Sequence, residues 1–214
     1  MSKLIVLDGT DGSGKSTQFR RLLEIYPDLK GISFPDYSSP SAALVNMYLA
    51  GEMSSDPEKI NAYAASTFYA ADRYASYMMH WKDHYENGGD ILASRYTTSN
   101  LIHQMSKLDE AEYDAFTEWL YDFEYSKLGL PRPDKVIYLD IDPELAGKRL
   151  ISRYHGDESK KDIHESNADY IRKCRKAALY TARKEGWIVI PAEENGRELT
   201  ENEITDRITR ELEF

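Results

Sequence analysis

The stretch Leu4-Ile5-Val6-Leu7-Asp8-Gly9-Thr10-Asp11-Gly12-Ser13-Gly14-Lys15-Ser16-Thr17 decides the fold. It opens with a short apolar run of the kind required by a strand buried on both faces. The run stops at Asp8, too soon for the apolar core of a signal peptide. Gly9 to Thr17 then satisfies G-x-x-x-x-G-K-[ST] in the strand-to-helix setting the motif needs. Glycines let the backbone wrap an anion with its N–H groups turned inward, and a helix starting near Lys15 adds its positive end. Lys15 would neutralise the phosphates in transit and the Ser16 hydroxyl would take a place on Mg2+. Gly9, Thr10, Asp11, Gly12, Ser13, Gly14, Lys15, Ser16 and Thr17 are therefore the expected ATP-binding set. The loop alone does not separate a kinase from a GTPase or a motor, but no obvious Asn-Lys-x-Asp, which would read guanine, is present.

Working outward, the apolar runs Gly31–Phe34, Ile91–Ala93, Val136–Leu139 and Ile188–Ile190 alternate with segments of helical periodicity. With Leu4–Leu7 they predict an α/β protein of the P-loop NTPase fold: a five-stranded parallel sheet sandwiched by helices. Lys59–Glu86 reads as the longest helical stretch, ended by Gly88-Gly89, and Asp142-Pro143 reads as the cap and first residue of another helix. At 214 residues the chain is expected to be a single kinase domain, residues 1–214, with a mobile polar lid at about 150–165.

No apolar run approaches the roughly 18 residues of a membrane span, so no membrane partner is expected. A net charge of -10 argues against a general nucleic-acid or anionic-membrane binder, so a phosphate ligand would need a local cationic pocket. The lone Cys174 permits no internal disulfide and points to the cytoplasm. His80 and His84 share a helix face at metal-ligand spacing without an obvious third ligand, and Asp140 is a weak candidate once Asp142 is assigned to capping.

Further motifs follow in order: Phe34-Pro35-Asp36-Tyr37, Phe68-Tyr69-Ala70-Ala71-Asp72-Arg73, Ser94-Arg95-Tyr96 with Ser99-Asn100, Gly129-Leu130-Pro131-Arg132-Pro133-Asp134, then Asp162 and Glu165. In this order the chain resembles the thymidylate kinase family of P-loop nucleoside monophosphate kinases, nearly from end to end. The resemblance implies transfer of the ATP γ-phosphoryl group, with Mg2+, to thymidine monophosphate by a homodimer. It implies that Asp11 accepts the acceptor's 3′-hydroxyl, unless it only stabilises its turn. Tyr69 would lay its ring on the pyrimidine, unless it is plain core. Arg73, one turn on, would donate to a base carbonyl. Asn100 would pair with the base's N–H and carbonyl, unless it merely starts a helix, and Arg95 would contact phosphoryl oxygens, unless it forms a surface ion pair. Phe34, Tyr37, Ser99, His103, Asp162 and His164 complete the implied pyrimidine-deoxynucleotide site, and Glu165 joins Ser16 near the metal. Because Gly12 holds the loop position where the family can carry an arginine, the catalytic arginine would come from the lid. Arg153 is the better placed, Arg149 the other candidate, with Lys160 and Lys161 in reserve; any of them could instead be a solvated helix charge.

Two departures matter. Ser94 stands where the family has a metal-orienting aspartate, so that Asp8 substitutes or metal affinity is weaker; Asp36 and Tyr37 stand where an arginine meets the acceptor's phosphate. They leave open a deoxynucleoside kinase, and a nucleotide-binding protein with weak catalysis.

Overall fold

The computed structural model describes residues 2–54, 56–153 and 168–212. Five parallel strands, β1 (Leu4–Gly9), β2 (Lys30–Ser33), β3 (Ile91–Ser94), β4 (Lys135–Asp140) and β5 (Ile188–Pro191), form one sheet in the order β2-β3-β1-β4-β5. Each lies within two residues of the run that predicted it; β1 and β3, covered on both faces, are buried throughout, whereas the edge strand β2 is half exposed. Alternate residues of β1 divide the core: Leu4 and Val6 face one layer, Ile5 and Leu7 the other. The first layer is completed by α3 (Ala62–Ser76), α5 (Thr98–His103), α6 (Tyr113–Tyr121) and α8 (Ala168–Glu185), and the second by α1 (Lys15–Ile25) and α9 (Glu201–Glu211). The other α-helices among the described residues are α2 (Ala43–Leu49), α4 (Lys82–Glu86) and α7 (Pro143–Arg153). The Asp142 carboxylate accepts the Glu144 N–H at 2.9 Å and caps α7 as expected.

The stretch read as one helix over Lys59–Glu86 is divided. Asn61 caps α3 by accepting the amides of Tyr63 and Ala64, and a π-helical turn, Tyr77–Trp81, separates α3 from α4. Tyr77 and Trp81, at its two ends, are both buried. A second π stretch, Asp122–Lys127, follows α6 and carries Glu124 into the interior. A short hairpin, β6 (Glu193–Glu194) and β7 (Arg197–Glu198), turns at Asn195 and Gly196, both with positive φ.

The chain leaves β1 for β2 on one side and adds β4 on the other, so β1 is where the strand order reverses. Loops leaving the carboxyl ends of β1 and β3 diverge around the crevice this creates, which is where open parallel sheets bind ligands.

Candidate active site

The loop after β1 is shaped by two left-handed glycines, Gly12 (φ 80°) and Gly14 (φ 93°). A Cβ on Gly12 would lie 2.9 Å from the Ala146 carbonyl oxygen of α7. A side chain there would be strained at this positive φ and would require the α7 backbone to shift, which disfavours an arginine at this position. Lys15 opens α1, is 8% exposed, and donates to the Thr10 carbonyl at 2.9 Å. Burial, reinforced by the Arg95 charge, brings its pKa down to about 8. Ser16 beside it is exposed.

Arg95 follows β3 in the left-handed region (φ 66°), a strained setting for a non-glycine residue and one that turns its side chain over the loop. Its Nη2 donates to Asp11 and its Nη1 to His103 Nε2 at 2.7 Å, while Asp8 lies 4.0 Å away. Burial opposes its charge, but Asp11 and Asp8 outweigh that and hold its pKa above the usual arginine value. Asp11 also sits 3.7 Å from Lys15, bridging the two cations. Asp8 is fully buried and accepts from Gly9 N at 2.9 Å and from the Thr98 and Ser99 hydroxyls at 2.7 Å each. Ser99 thus turns its proton toward Asp8 while lining the cavity.

Beyond Arg95, the wall is built by α3 and α5. Tyr69 is half-buried and meets the Tyr48 ring edge-on at 6.3 Å between centroids. Arg73, 1% exposed, is gripped by a residue the sequence reading missed: its Nε donates to Glu124 Oε2 at 2.7 Å and its Nη2 to Oε1. Glu124 also accepts from Thr97 Oγ1 at 2.8 Å and from Asn100 Nδ2 at 3.2 Å. The donor half of the Asn100 amide therefore faces the protein, not a ligand. Gln104, four residues on, lines the same cavity with its Oε1 buried and without a hydrogen-bond partner among the described residues. Its position one turn after Asn100 was the available signal for it.

These residues enclose one cavity of about 450 Å³, within the range of small-molecule sites. Asp11, Lys15, Ser16, Phe34, Tyr37, Tyr69, Arg73, Arg95, Ser99, Asn100 and His103 all line it, so Arg73 and Asn100 share a cavity with Lys15. Among the described residues Lys15, Arg95 and Arg149 line it beside the carboxylate of Asp11, while the other lining cation, Arg73, is already paired with Glu124. That is the cationic pocket an acidic chain needs to hold phosphates. Asp36 is not among the lining residues, although its neighbours Pro35 and Tyr37 are, and its carboxylate accepts the Ser38 hydroxyl at 2.9 Å. Arg149 donates to the Gly12 carbonyl at 3.3 Å and to Glu198 at 3.0 Å, which brings α7 to the loop. The side chain of Arg153, together with Lys160, Lys161, Asp162, His164 and Glu165, lies outside the described residues. Asp140 is held by Arg175 at 2.7 and 2.8 Å, a structural pair.

Hard oxygen donors near the loop, the Ser16 hydroxyl and the Asp11 carboxylate, suit Mg2+, which takes few protein ligands and fills its shell with phosphate oxygens and water. Among the described residues no three His, Cys, Asp or Glu side chains form a dedicated metal cage.

A family model described as thymidylate kinase matches residues 7–204. A thymidylate kinase of Caenorhabditis elegans is 32% identical over 160 residues, covering 68% of this chain and 66% of that protein. A thymidylate kinase of Mycobacterium tuberculosis H37Rv is 29% identical over 192 residues, covering 86% and 87%. The solved thymidylate kinase of Candida albicans superposes with a TM-score of 0.75 over 99% of this chain and 91% of that one; at 23% identity this likeness concerns the fold. The chain belongs to the thymidylate kinase family, nucleoside monophosphate phosphotransferases.

Proposed function

We propose that this chain transfers the γ-phosphoryl group of ATP to thymidine monophosphate. The observation that carries the reading is one cavity in which a phosphate loop and Lys15 are joined through Asp11 and Arg95 to a wall made by Tyr69, Arg73 and Gln104. Loop amides and Lys15 hold the ATP phosphates, Arg95 steadies the phosphoryl oxygens between donor and acceptor, and Arg149 adds charge from the α7 side. Mg2+, held by the Ser16 hydroxyl and phosphate oxygens, would neutralise the charge that develops on the transferring group. Tyr69 offers its ring face to the pyrimidine, with Phe34 and Tyr37 enclosing it. Gln104 Oε1 is the acceptor that the thymine N3–H requires. The aromatic and methionine side chains Tyr74, Met78 and Met79, exposed along α3 and the π turn, support a homodimer. The chain acts as a single kinase domain in the cytoplasm; none of the described helices is long and apolar enough to cross a membrane.

A coupled assay of ADP release against thymidine, thymidine monophosphate and the other deoxynucleoside monophosphates tests the reading. Turnover is expected with thymidine monophosphate and little with thymidine. Faster turnover of thymidine would assign a nucleoside kinase, and ATP binding without acceptor-dependent turnover would assign a catalytically weak binding protein.

Gln104→Met is nearly isosteric and removes a buried acceptor that has no hydrogen-bond partner among the described residues. We expect KM for thymidine monophosphate to rise about tenfold, as for loss of one buried hydrogen bond, with ATP KM unchanged and Tm no lower. A fall in Tm with unchanged KM would make Gln104 a structural residue.

A further inference from the structure

An acceptor that is a base at one end and a dianionic phosphate at the other can enter this cavity in two directions. Arg95 and Lys15 attract the phosphate, but Arg73 is also a cation in the wall, and a desolvated guanidinium is among the best phosphate partners a protein has. Left alone it would invite the acceptor in backwards. Glu124 meets it with a bidentate pair, Nε to Oε2 at 2.7 Å and Nη2 to Oε1, with Glu124 0% and Arg73 1% exposed.

The pair carries no net charge. A guanidinium has five N–H bonds in a fixed fork, and those not directed at Glu124 can still serve a neutral carbonyl. Glu124 is held in place by Thr97 and Asn100, by a Leu130 amide donating to its carbonyl at 3.1 Å, and by the π-helical turn that aims it inward. Such turns depart from the more favourable α geometry and recur at functional positions. Stability is a weak reason for the arrangement, since a buried ion pair adds little over apolar side chains of similar size.

Resting on the proposed acceptor reading, we propose that Glu124 is a positioning residue that sets the direction of acceptor binding. By cancelling the charge of Arg73 it makes that end of the cavity take a base carbonyl and refuse a phosphate.

The test is calorimetric titration of inorganic phosphate into full-length protein saturated with Mg2+ and a non-hydrolysable ATP analogue. This fills the loop and needs no turnover, so the result is independent of the acceptor panel that tests the function itself. Glu124→Gln, which frees the cation, is expected to bind phosphate at least about tenfold more tightly than the wild type, the scale of one charge-assisted hydrogen bond. The double variant Arg73→Met with Glu124→Leu removes both charges and is expected to stay within about twofold of the wild type; it remains decisive if Glu124→Gln does not fold. A purely structural role would change Tm and leave phosphate affinity alone. Unchanged affinity in Glu124→Gln, or a tenfold loss in the double variant, would overturn the proposal.

Discussion

Lys15→Met is expected to lower kcat by about 10³ while leaving the protein at least as stable at neutral pH. The loss follows from removing a fixed charge aimed at the phosphates from a site of low dielectric, an effect of about 10² to 10³ where single electrostatic donors are deleted. The stability follows from burial. Lys15 is 8% exposed and its pKa is depressed to about 8 from 10.5. For a base, a depressed folded-state pKa means the fold disfavours the charged form. That penalty is complete below pH 8, where the lysine is charged folded and unfolded, and vanishes above 10.5, where it is neutral in both. Methionine keeps the bulk and carries no charge to desolvate. The same shift gives a binding signature: phosphates prefer the protonated amine, so ATP affinity of the wild type should decline as pH rises past 8, and the variant should lack that decline. Steady-state kinetics, calorimetric Tm and ATP titrations at pH 7 and 9 measure all three. A loss in kcat of less than tenfold would mean Lys15 does not face the transferring phosphate.

Arg95→Ala is expected to lower kcat/KM for thymidine monophosphate by roughly 10² to 10³, with ATP hydrolysis in the absence of acceptor much less affected. Arg95 is the contact joining the loop side of the cavity to the acceptor side, through Asp11 and His103. Its removal also strips Asp11 and the buried Asp8 of their nearest guanidinium, so a lower Tm should accompany the kinetic loss. Arg95→Lys should recover less than about tenfold, because an ammonium cannot reach two partners with a planar fork. Equal losses with and without acceptor would place Arg95 on ATP alone.

The loop and the sheet were legible because both are local. The central strands β1 and β3 are buried over four to six residues and read as apolar runs, and the loop's glycines, lysine and serine lie within one short segment, so no long-range information is needed. Tyr69 and Arg73, one helical turn apart, follow the same logic, and both do line the cavity. What was not legible is the partner of Arg73. The need for an anionic or carbonyl partner could be inferred from a charge among aromatics, but Glu124 lies 51 residues away and reaches it only through a π turn that no periodicity announces. The division of the long helix at Tyr77–Trp81 was hidden for the same reason. The crowding that a side chain at Gly12 would meet comes from the Ala146 backbone of α7, again a long-range fact. Asn195-Gly196, by contrast, is a hairpin signal present in the sequence, and Gln104 sits where helical spacing from Asn100 would have found it.

The proposed function has a direction: phosphates at Lys15 and Arg95, base at Tyr69, Arg73 and Gln104. A crystal structure with thymidine monophosphate and a non-hydrolysable ATP analogue tests it most directly. The acceptor's phosphate is expected within hydrogen-bond distance of Arg95, its ring against Tyr69, and its N3 beside Gln104. A phosphate found at Arg73, or an acceptor bound outside this cavity, would contradict it.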